Sequence, residues 1–196
     1  GDALIKAGGW QADLADSLYG RTLGVLGLGK LGSATAQVGK LFGMNVVAWS
    51  PNLTAERCAP HDVELVDKDT LFSSADVLSV HMVLSDRTRG LIGREDFRRM
   101  KPTAYFVNTS RGPLLDEGAL IEALDGNWIK GAGLDVFVTE PLPQDHPIRR
   151  CKNAVLSGHM GYNTRANAKV GYSDALDDIL GWLAGKPIRV IERNRD

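Results

Sequence analysis

The sequence has little cysteine, almost no net charge and no long apolar run. Its two cysteines, Cys58 and Cys151, are too few and too far apart for a disulfide framework or a metal-ligand cluster. We therefore expect reduced thiols without a chemical role and no metal site. A formal net charge of −1 gives no general attraction to nucleic acid or to an anionic membrane surface, so neither is an expected partner.

Targeting and membrane signals are also missing. No apolar run approaches the roughly 20 residues that are needed to cross a bilayer. The first ten residues, GDALIKAGGW, lack the charged-then-apolar order of a signal peptide. These features predict a cytoplasmic protein. The length of 196 residues and the apolar content of 43% fit one α/β domain, or one domain with a remnant of another.

Short apolar runs alternate with helical periodicity along most of the chain. Strands are predicted at residues 21–26, 45–49, 76–80, 104–108, 133–136 and 154–156, and helices at 32–42, 69–74, 94–100 and 116–124. Strands that alternate with helices favour a parallel sheet with helices on both faces. The sequence therefore predicts an α/β fold, a doubly wound parallel sheet in which the strand that begins near Thr22 is central.

The last helix is predicted from an apolar stripe at helical spacing. The stripe consists of Tyr172, Leu176, Ile179, Leu180 and Leu183. Thr164 is a plausible N-cap, and Gly185 with Pro187 ends the helix. We interpret the stripe as buried core without a chemical role.

Three glycines, Gly27, Gly29 and Gly32, lie between the first strand and the first long helix, in GVLGLGKLGSATA. In this context Gly27 allows a tight turn, Gly29 lets the backbone approach a pyrophosphate, and Gly32 lets helix and strand pack closely. The helix N-terminus, at Lys30 and Leu31, offers N–H groups and partial positive charge. The pattern predicts dinucleotide binding; the alternative is a glycine-rich packing turn.

The end of the second strand is where an NAD enzyme usually presents an acidic residue to the ribose hydroxyls. Here the positions are neutral, with Ser50 and Asn52. A hydroxyl and an amide can bind either a ribose hydroxyl or a 2′-phosphate. Lys30 and Arg57 could add attraction, although a solvated surface charge is the commoner fate of such residues. The choice between NAD and NADP stays open.

Polar residues follow the other predicted strands, where a doubly wound sheet binds its ligand. They are His81, Thr109, Ser110, Arg111, Asp135, Glu140 and His159. The remaining histidines, His61 and His146, lie in polar loop contexts and are interpreted as surface residues.

Read in order, these stretches resemble a known family. GVLGLG at 24–29, VH at 80–81, NTSRG at 108–112, LDVF at 134–137, EP at 140–141, His159 and GKP at 185–187 resemble the nucleotide-binding domain of the D-isomer-specific 2-hydroxyacid dehydrogenases. The resemblance runs along the whole chain. It implies a Rossmann-type fold, NAD or NADP as cofactor, a small 2-oxo or 2-hydroxy acid as substrate, and a homodimer. Gly158 before His159, where proline is commoner, and Val83, in place of the common His-x-Pro-Leu pattern, depart from the family.

The resemblance also implies roles that suit the chemistry of each residue type. Arg111 holds the substrate carboxylate, because a guanidinium offers parallel N–H groups. His159 transfers the proton, and Glu140 fixes its tautomer and favours the imidazolium.

For the cofactor, the resemblance implies that Asp135 accepts from the nicotinamide carboxamide. His81 lines the cofactor groove through its backbone, without acid or base duty. Thr109 and Ser110 contact the cofactor mainly through main-chain atoms.

The domain organisation expected from the resemblance has three parts. Residues 1–20 are the end of an interdomain helix and a link, residues 21–162 are the dinucleotide-binding domain, and residues 163–196 are a C-terminal helix and tail that return toward a substrate domain largely missing from this sequence. We expect the chain alone to bind a dinucleotide without useful turnover. A dinucleotide-sensing protein, like the corepressors of the C-terminal-binding type, is the alternative function; turnover of 2-oxo acids would separate the two.

Overall fold

The computed structural model describes residues 2–11 and 15–191. The chain divides into two compact units, Gly1–Gly158 and His159–Asp196. The first unit contains seven parallel strands: β1 Thr22–Leu26, β2 Asn45–Trp49, β3 Glu64–Leu65, β4 Val77–Val80, β5 Tyr105–Asn108, β6 Gly131–Leu134 and β7 Ala154–Leu156. Their order in the sheet is β3-β2-β1-β4-β5-β6-β7. The predicted doubly wound parallel sheet is confirmed, with β1 in its interior between β2 and β4.

Helices connect the strands or flank them in the chain. They are α1 Asp2–Lys6, α2 Lys30–Leu41, α3 Ala55–Cys58, α4 Lys68–Ser74, α5 Arg94–Arg99 and α6 Glu117–Asp125 in the first unit and α7 Arg165–Leu183 in the second, with 3₁₀ turns at Ala59–His61, Gly112–Leu114 and Pro147–Arg150. Side-chain caps start α4 and α6: Asp67 accepts from the Thr70 amide at 2.7 Å, and Asp116 accepts from the Ala119 amide at 3.1 Å.

The sheet is buried on both faces, as parallel sheets are. Successive side chains of a strand point to opposite faces, so β1 contributes Leu23 and Val25 to one hydrophobic cluster and Leu26 to the other. Both cysteines are buried and free, and burial raises the pKa of each thiol. Among residues 2–11 and 15–191, no helix is long and apolar enough to cross a membrane.

One expectation about apolar residues is wrong. The stripe on α7 is not core, because α7 has no buried residue and Tyr172 and Leu183 are 81% and 67% exposed. Among residues 159–191, the described part of the second unit, α7 is the only helix, so these residues supply no second layer against which the stripe could pack. By contrast, Phe97 and Met100, at the end of α5 and directly after it, belong to the core. The predicted cap of α7 is confirmed, since Thr164 accepts from the Asn167 amide at 3.1 Å.

Candidate functional site

The glycine turn between β1 and α2 is shaped by close backbone contacts. Gly27 has a φ of +101°, and a Cβ there would lie 2.8 Å from the carbonyl oxygen of His81. A Cβ on Gly32 would lie 2.0 Å from the carbonyl oxygen of Gly27, so only glycine lets α2 begin this close to the strand. Gly29, the N-cap of α2, has a φ of −91°, and a Cβ there would meet no atom within 4 Å. The open side of the turn is therefore at Gly29, where a pyrophosphate would approach the helix N-terminus.

Two adjoining cavities form a groove along the carboxyl edge of the sheet. The first, of about 360 Å³, is lined by residues that include Gly27, Gly29, Ser50, Asn52, Arg57 and His81. The second, of about 340 Å³, is lined by residues that include Leu31, His81, Met82, Thr109, Ser110 and Arg111. His81 and Met82 line both. The groove thus brings residues after β1, β2, β4 and β5 together, as the parallel topology requires.

Within the described part of the chain, no acidic side chain lines the corner of the groove after β2. Ser50 and Asn52 line it together with Arg57, and Arg87 lies on the same wall. The neighbouring Glu56 carboxylate is engaged by hydrogen bonds to Thr54 and to its own backbone, which lower its pKa. The electrostatics of this corner are therefore neutral to positive.

His81 sits between the two cavities. Its ring Nε2 lies 2.9 Å from the Ser79 hydroxyl, and burial lowers the pKa of the imidazole below its ordinary value. Its carbonyl oxygen faces the glycine turn at Gly27. A neutral ring bonded to a serine suits a wall of the groove better than an acid or base.

A buried side-chain amide, that of Asn108, fixes the turn that carries Arg111. The Asn108 side chain, fully buried at the end of β5, accepts from the Ser110 amide at 3.0 Å and donates to the Arg111 carbonyl at 3.0 Å. The Ser110 hydroxyl donates to the Val80 carbonyl at 2.8 Å. Ser110 therefore ties the turn to β4, while the exposed Arg111 guanidinium, which donates to the Ser110 carbonyl at 2.6 Å, projects from it.

Asp135 follows β6 and is buried, with 6% of its surface exposed. Its amide donates to the Asn108 carbonyl at 3.0 Å, and its carboxylate accepts from the Ser157 hydroxyl. Asp135 is thus fixed at the carboxyl edge, one strand away from the Arg111 turn. The predicted strand 133–136 ends two residues earlier, at Leu134, which places Asp135 directly after it.

Glu140 lies on the exposed loop that leaves β6. Its carboxylate accepts from the Phe137 amide at 2.9 Å. The same loop packs tightly against the Arg111 turn, because a Cβ on Gly112 would lie 2.0 Å from the Phe137 carbonyl carbon. Arg111 and Glu140 therefore belong to two segments in backbone contact.

His159 belongs to the second unit. It is half-buried with a φ of 55°, and its ring meets the Tyr162 ring edge to face, with centroids 6.0 Å apart. The predicted pairing of His159 with Glu140 stays a prediction.

Several residues of the site escaped the sequence analysis. Asn108 belongs to the NTSRG motif, but its role in holding the Arg111 turn was not predicted, and Arg87 gives no signal in the sequence. The interpretation of His146 as a surface residue is wrong: its side chain is 18% exposed and its Nε2 lies 3.0 Å from a carboxylate oxygen of Glu117, because the loop after β6 folds back over the start of α6. His61 is likewise half-buried, with its ring Nδ1 enclosed.

Comparison with known proteins agrees with this geometry. The model of the D-isomer specific 2-hydroxyacid dehydrogenase NAD binding domain matches residues 1–161. A glyoxylate reductase from Aeropyrum pernix is 39% identical over 181 residues, which are 92% of this chain and 54% of that protein. A D-3-phosphoglycerate dehydrogenase from Archaeoglobus fulgidus is 39% identical over 191 residues, 96% of this chain and 36% of that protein.

A solved structure has the same fold. The crystal structure of a putative D-3-phosphoglycerate dehydrogenase oxidoreductase from Ralstonia solanacearum superposes with a TM-score of 0.87 at 38% identity, covering 96% of this chain and 59% of that one. The chain spans about half or less of the length of these curated relatives. With the family model matched over most of its residues, the chain belongs to the D-isomer-specific 2-hydroxyacid dehydrogenase family and comprises the NAD-binding domain of that family.

Proposed function

We propose that the protein carrying this chain is an oxidoreductase that interconverts a small 2-oxo acid and the D-2-hydroxy acid with NAD(P)H. The observation that carries the proposal is the single groove that joins the glycine turn to the Arg111 turn. When bound, the dinucleotide supplies or accepts the hydride at the substrate's C2. Reduction also consumes one proton at the carbonyl oxygen, so the site needs a carboxylate clamp and an acid.

Arg111 is the proposed clamp. Its guanidinium projects from a turn whose main chain is fixed by Asn108, so the charge is presented at a defined height above the sheet. Parallel N–H groups suit a carboxylate and a neighbouring carbonyl oxygen. Holding both oxygens would keep C2 in position for hydride transfer.

His159 and Glu140 are the proposed acid–base pair, a role that rests on the family resemblance. The imidazolium would donate its proton to the carbonyl oxygen during reduction and the imidazole would accept it in the reverse direction. Glu140, oriented by the Phe137 amide, would stabilise the charged ring.

The cofactor end favours a dinucleotide through shape and backbone donors. The turn at Gly29 leaves room for the pyrophosphate, and Asp135 offers a fixed carboxylate toward the carboxamide position. Because Ser50, Asn52 and Arg57 include no acid, the ribose corner tolerates a 2′-phosphate as well as a 2′-hydroxyl. We propose that NADH and NADPH both bind.

A two-fold homodimer is also proposed, as the resemblance implies. Since Phe97 and Met100 are core, the interface would use other residues. Sedimentation of the chain at micromolar concentration tests this, and a monomer would contradict it.

The decisive experiment assays the full-length gene product with a panel of 2-oxo acids and either NADH or NADPH, following the loss of nicotinamide absorbance. Stoichiometric conversion of one 2-oxo acid to its D-2-hydroxy acid is the expected result. Dinucleotide binding without turnover across the panel would contradict an enzyme and favour the sensor.

A further inference from the structure

A second Glu–His pair lies under the loop that carries Glu140. The Nε2 of His146 lies 3.0 Å from Oε2 of Glu117, and the two side chains are 18% and 17% exposed. Glu117 is the first residue of α6, and His146 immediately precedes the 3₁₀ turn Pro147–Arg150. No motif of the dehydrogenase site includes either residue, so the pair calls for its own explanation.

The hydrogen bonds define the protonation pattern of His146. Its Nδ1 accepts from the Ile148 amide at 3.4 Å, so that nitrogen presents a lone pair. The ring proton is therefore on Nε2, where the Glu117 carboxylate accepts it. His146 is bonded at both ring nitrogens and is oriented by its own backbone turn.

The other oxygen of Glu117 reaches the loop itself. Glu117 Oε1 accepts from the Val138 amide at 3.4 Å. The preceding amide, that of Phe137, donates to Glu140, and the Phe137 carbonyl packs on Gly112. One carboxylate thus links α6, the His146 turn and the peptide next to the one that orients Glu140.

Further contacts fasten the same loop. The Arg149 guanidinium donates to the carbonyls of Leu142 and Pro143, each at 2.7 Å. The His146 amide donates to the Pro143 carbonyl at 3.3 Å. The segment between β6 and the 3₁₀ turn is therefore fixed at its far end by Arg149 and at its near end by Glu117.

We propose that Glu117 and His146 are positioning residues for Glu140: the pair holds the turn 137–140 against the Arg111 turn and so sets the place of the acid–base carboxylate. This proposal rests on the proposed function for its catalytic consequence. Neither residue touches substrate or cofactor in this account; both act through the main chain of Phe137 and Val138.

The substitution Glu117→Gln weakens the pair with almost no change in side-chain volume. Only a carboxylate accepts from both the His146 ring and the Val138 amide; in Glu117→Gln one of those two donors faces an NH₂ group. His146→Gln keeps a donor near the position of Nε2, whereas His146→Ala removes it. Glu122→Gln is the matched control, because Glu122 lies on the same helix and its carboxylate pairs with Arg94 at the exposed surface.

In the full-length gene product, Glu117→Gln and His146→Ala are expected to lower kcat for 2-oxo acid reduction by about tenfold or more, since small displacements of a catalytic group cost rate steeply. The Kd for NADH should change by less than about twofold. His146→Gln should recover most of the loss, and Glu122→Gln should match the wild type. An unchanged kcat in both disrupted variants would overturn the proposal.

A double-mutant cycle separates positioning from a general structural role. In a Glu140→Gln background, Glu117→Gln should lower kcat by less than about twofold, because its effect passes through Glu140. The same tenfold loss in both backgrounds would show that Glu117 acts elsewhere and would overturn the proposal.

Amide hydrogen exchange tests the hold on the turn without any turnover. The Phe137 and Val138 amides should exchange at least about tenfold faster in Glu117→Gln than in the wild type or Glu122→Gln, while β1 amides stay unchanged. Unaltered exchange at both would overturn the proposal. Faster exchange in a protein that reduces no 2-oxo acid would instead count against the proposed function, and the hold on the turn would stand.

Discussion

The two ends of the groove are built in opposite ways. At the glycine turn, Gly27, Gly29 and Gly32 have no side chains, so the backbone shapes this end of the groove. At the other end, Arg111 presents a charged group on a turn that the buried Asn108 side chain holds in place, and the loop that carries Glu140 packs against this turn.

The two ends of the groove should therefore respond to different kinds of substitution. A methyl group added at the glycine turn should fill open space or force the backbone apart. Removal of a charge at the other end should leave the fold intact and lower the rate of the proposed reaction. The glycine turn should therefore be sensitive to side-chain volume, and the Arg111 end to the charge and orientation of its side chains.

Charge removal is expected to give the largest effect. Arg111→Gln should lower kcat/KM for the 2-oxo acid by about a hundredfold to a thousandfold, because charge-assisted hydrogen bonds to the substrate are lost. The Kd for NADH should change less than about twofold. Steady-state kinetics on the full-length gene product measure both, with the exposed Arg94→Gln as control. A loss of NADH affinity as large as the loss of kcat/KM would contradict the assignment of Arg111 to the substrate.

Volume changes give the next largest effect, and the glycine turn offers a matched pair. Gly29→Ala should leave the melting temperature nearly unchanged, because its Cβ enters open space, yet weaken NADH binding by at least about tenfold. Gly32→Ala should instead cost about 1–3 kcal/mol of stability, since its Cβ would meet the Gly27 carbonyl at 2.0 Å. Fluorescence titration and thermal unfolding measure the two. Wild-type NADH affinity in Gly29→Ala would contradict a pyrophosphate at this turn.

The sequence was informative where a residue's role follows from its place at a strand end. The parallel sheet, the glycine turn, and the positions of Arg111 and Asp135 could all be predicted from periodicity, motif and topology. The two-residue strand β3, Glu64–Leu65, was missed because both residues are exposed and leave no apolar run.

Contacts between distant segments could not be read from the sequence. The Glu117–His146 pair forms because the loop after β6 returns to α6, and no local pattern encodes that return. The apolar stripe on α7 was expected to be buried and is exposed. Helical spacing shows which residues share a face of a helix but not what covers that face.

A smaller effect is expected at the ribose corner. Arg57→Gln should weaken NADPH binding by about three- to tenfold and leave NADH binding unchanged, since only the 2′-phosphate needs the positive charge. Fluorescence titrations with both cofactors measure the ratio, and the exposed Arg89→Gln is the control. An equal loss of affinity for both cofactors would show that Arg57 does not recognise the 2′-phosphate.

The smallest effect concerns His81, which lies between the two ends. Burial keeps its pKa below that of the unfolded chain, so the unfolded state binds the proton first as the pH falls through about 6.5. The free energy of unfolding therefore decreases over that window. In His81→Asn, chemical denaturation at pH 7 and pH 5 should show a smaller decrease than in the wild type, whereas the pH profile of reduction should keep its shape. A lost acid limb in that profile would give His81 an acid–base role.

Binding of the dinucleotide at the carboxyl edge of this sheet can be tested by mapping amide chemical shifts of the 196-residue chain during titration with NADH. We expect perturbations at Gly27 to Gly32, around Ser50 and at Thr109 to Arg111. The cavity of about 90 Å³ at the opposite edge, lined in part by Asp76 and Lys130, should be unaffected. Perturbations centred on Asp76 and Lys130, with the glycine turn silent, would contradict it.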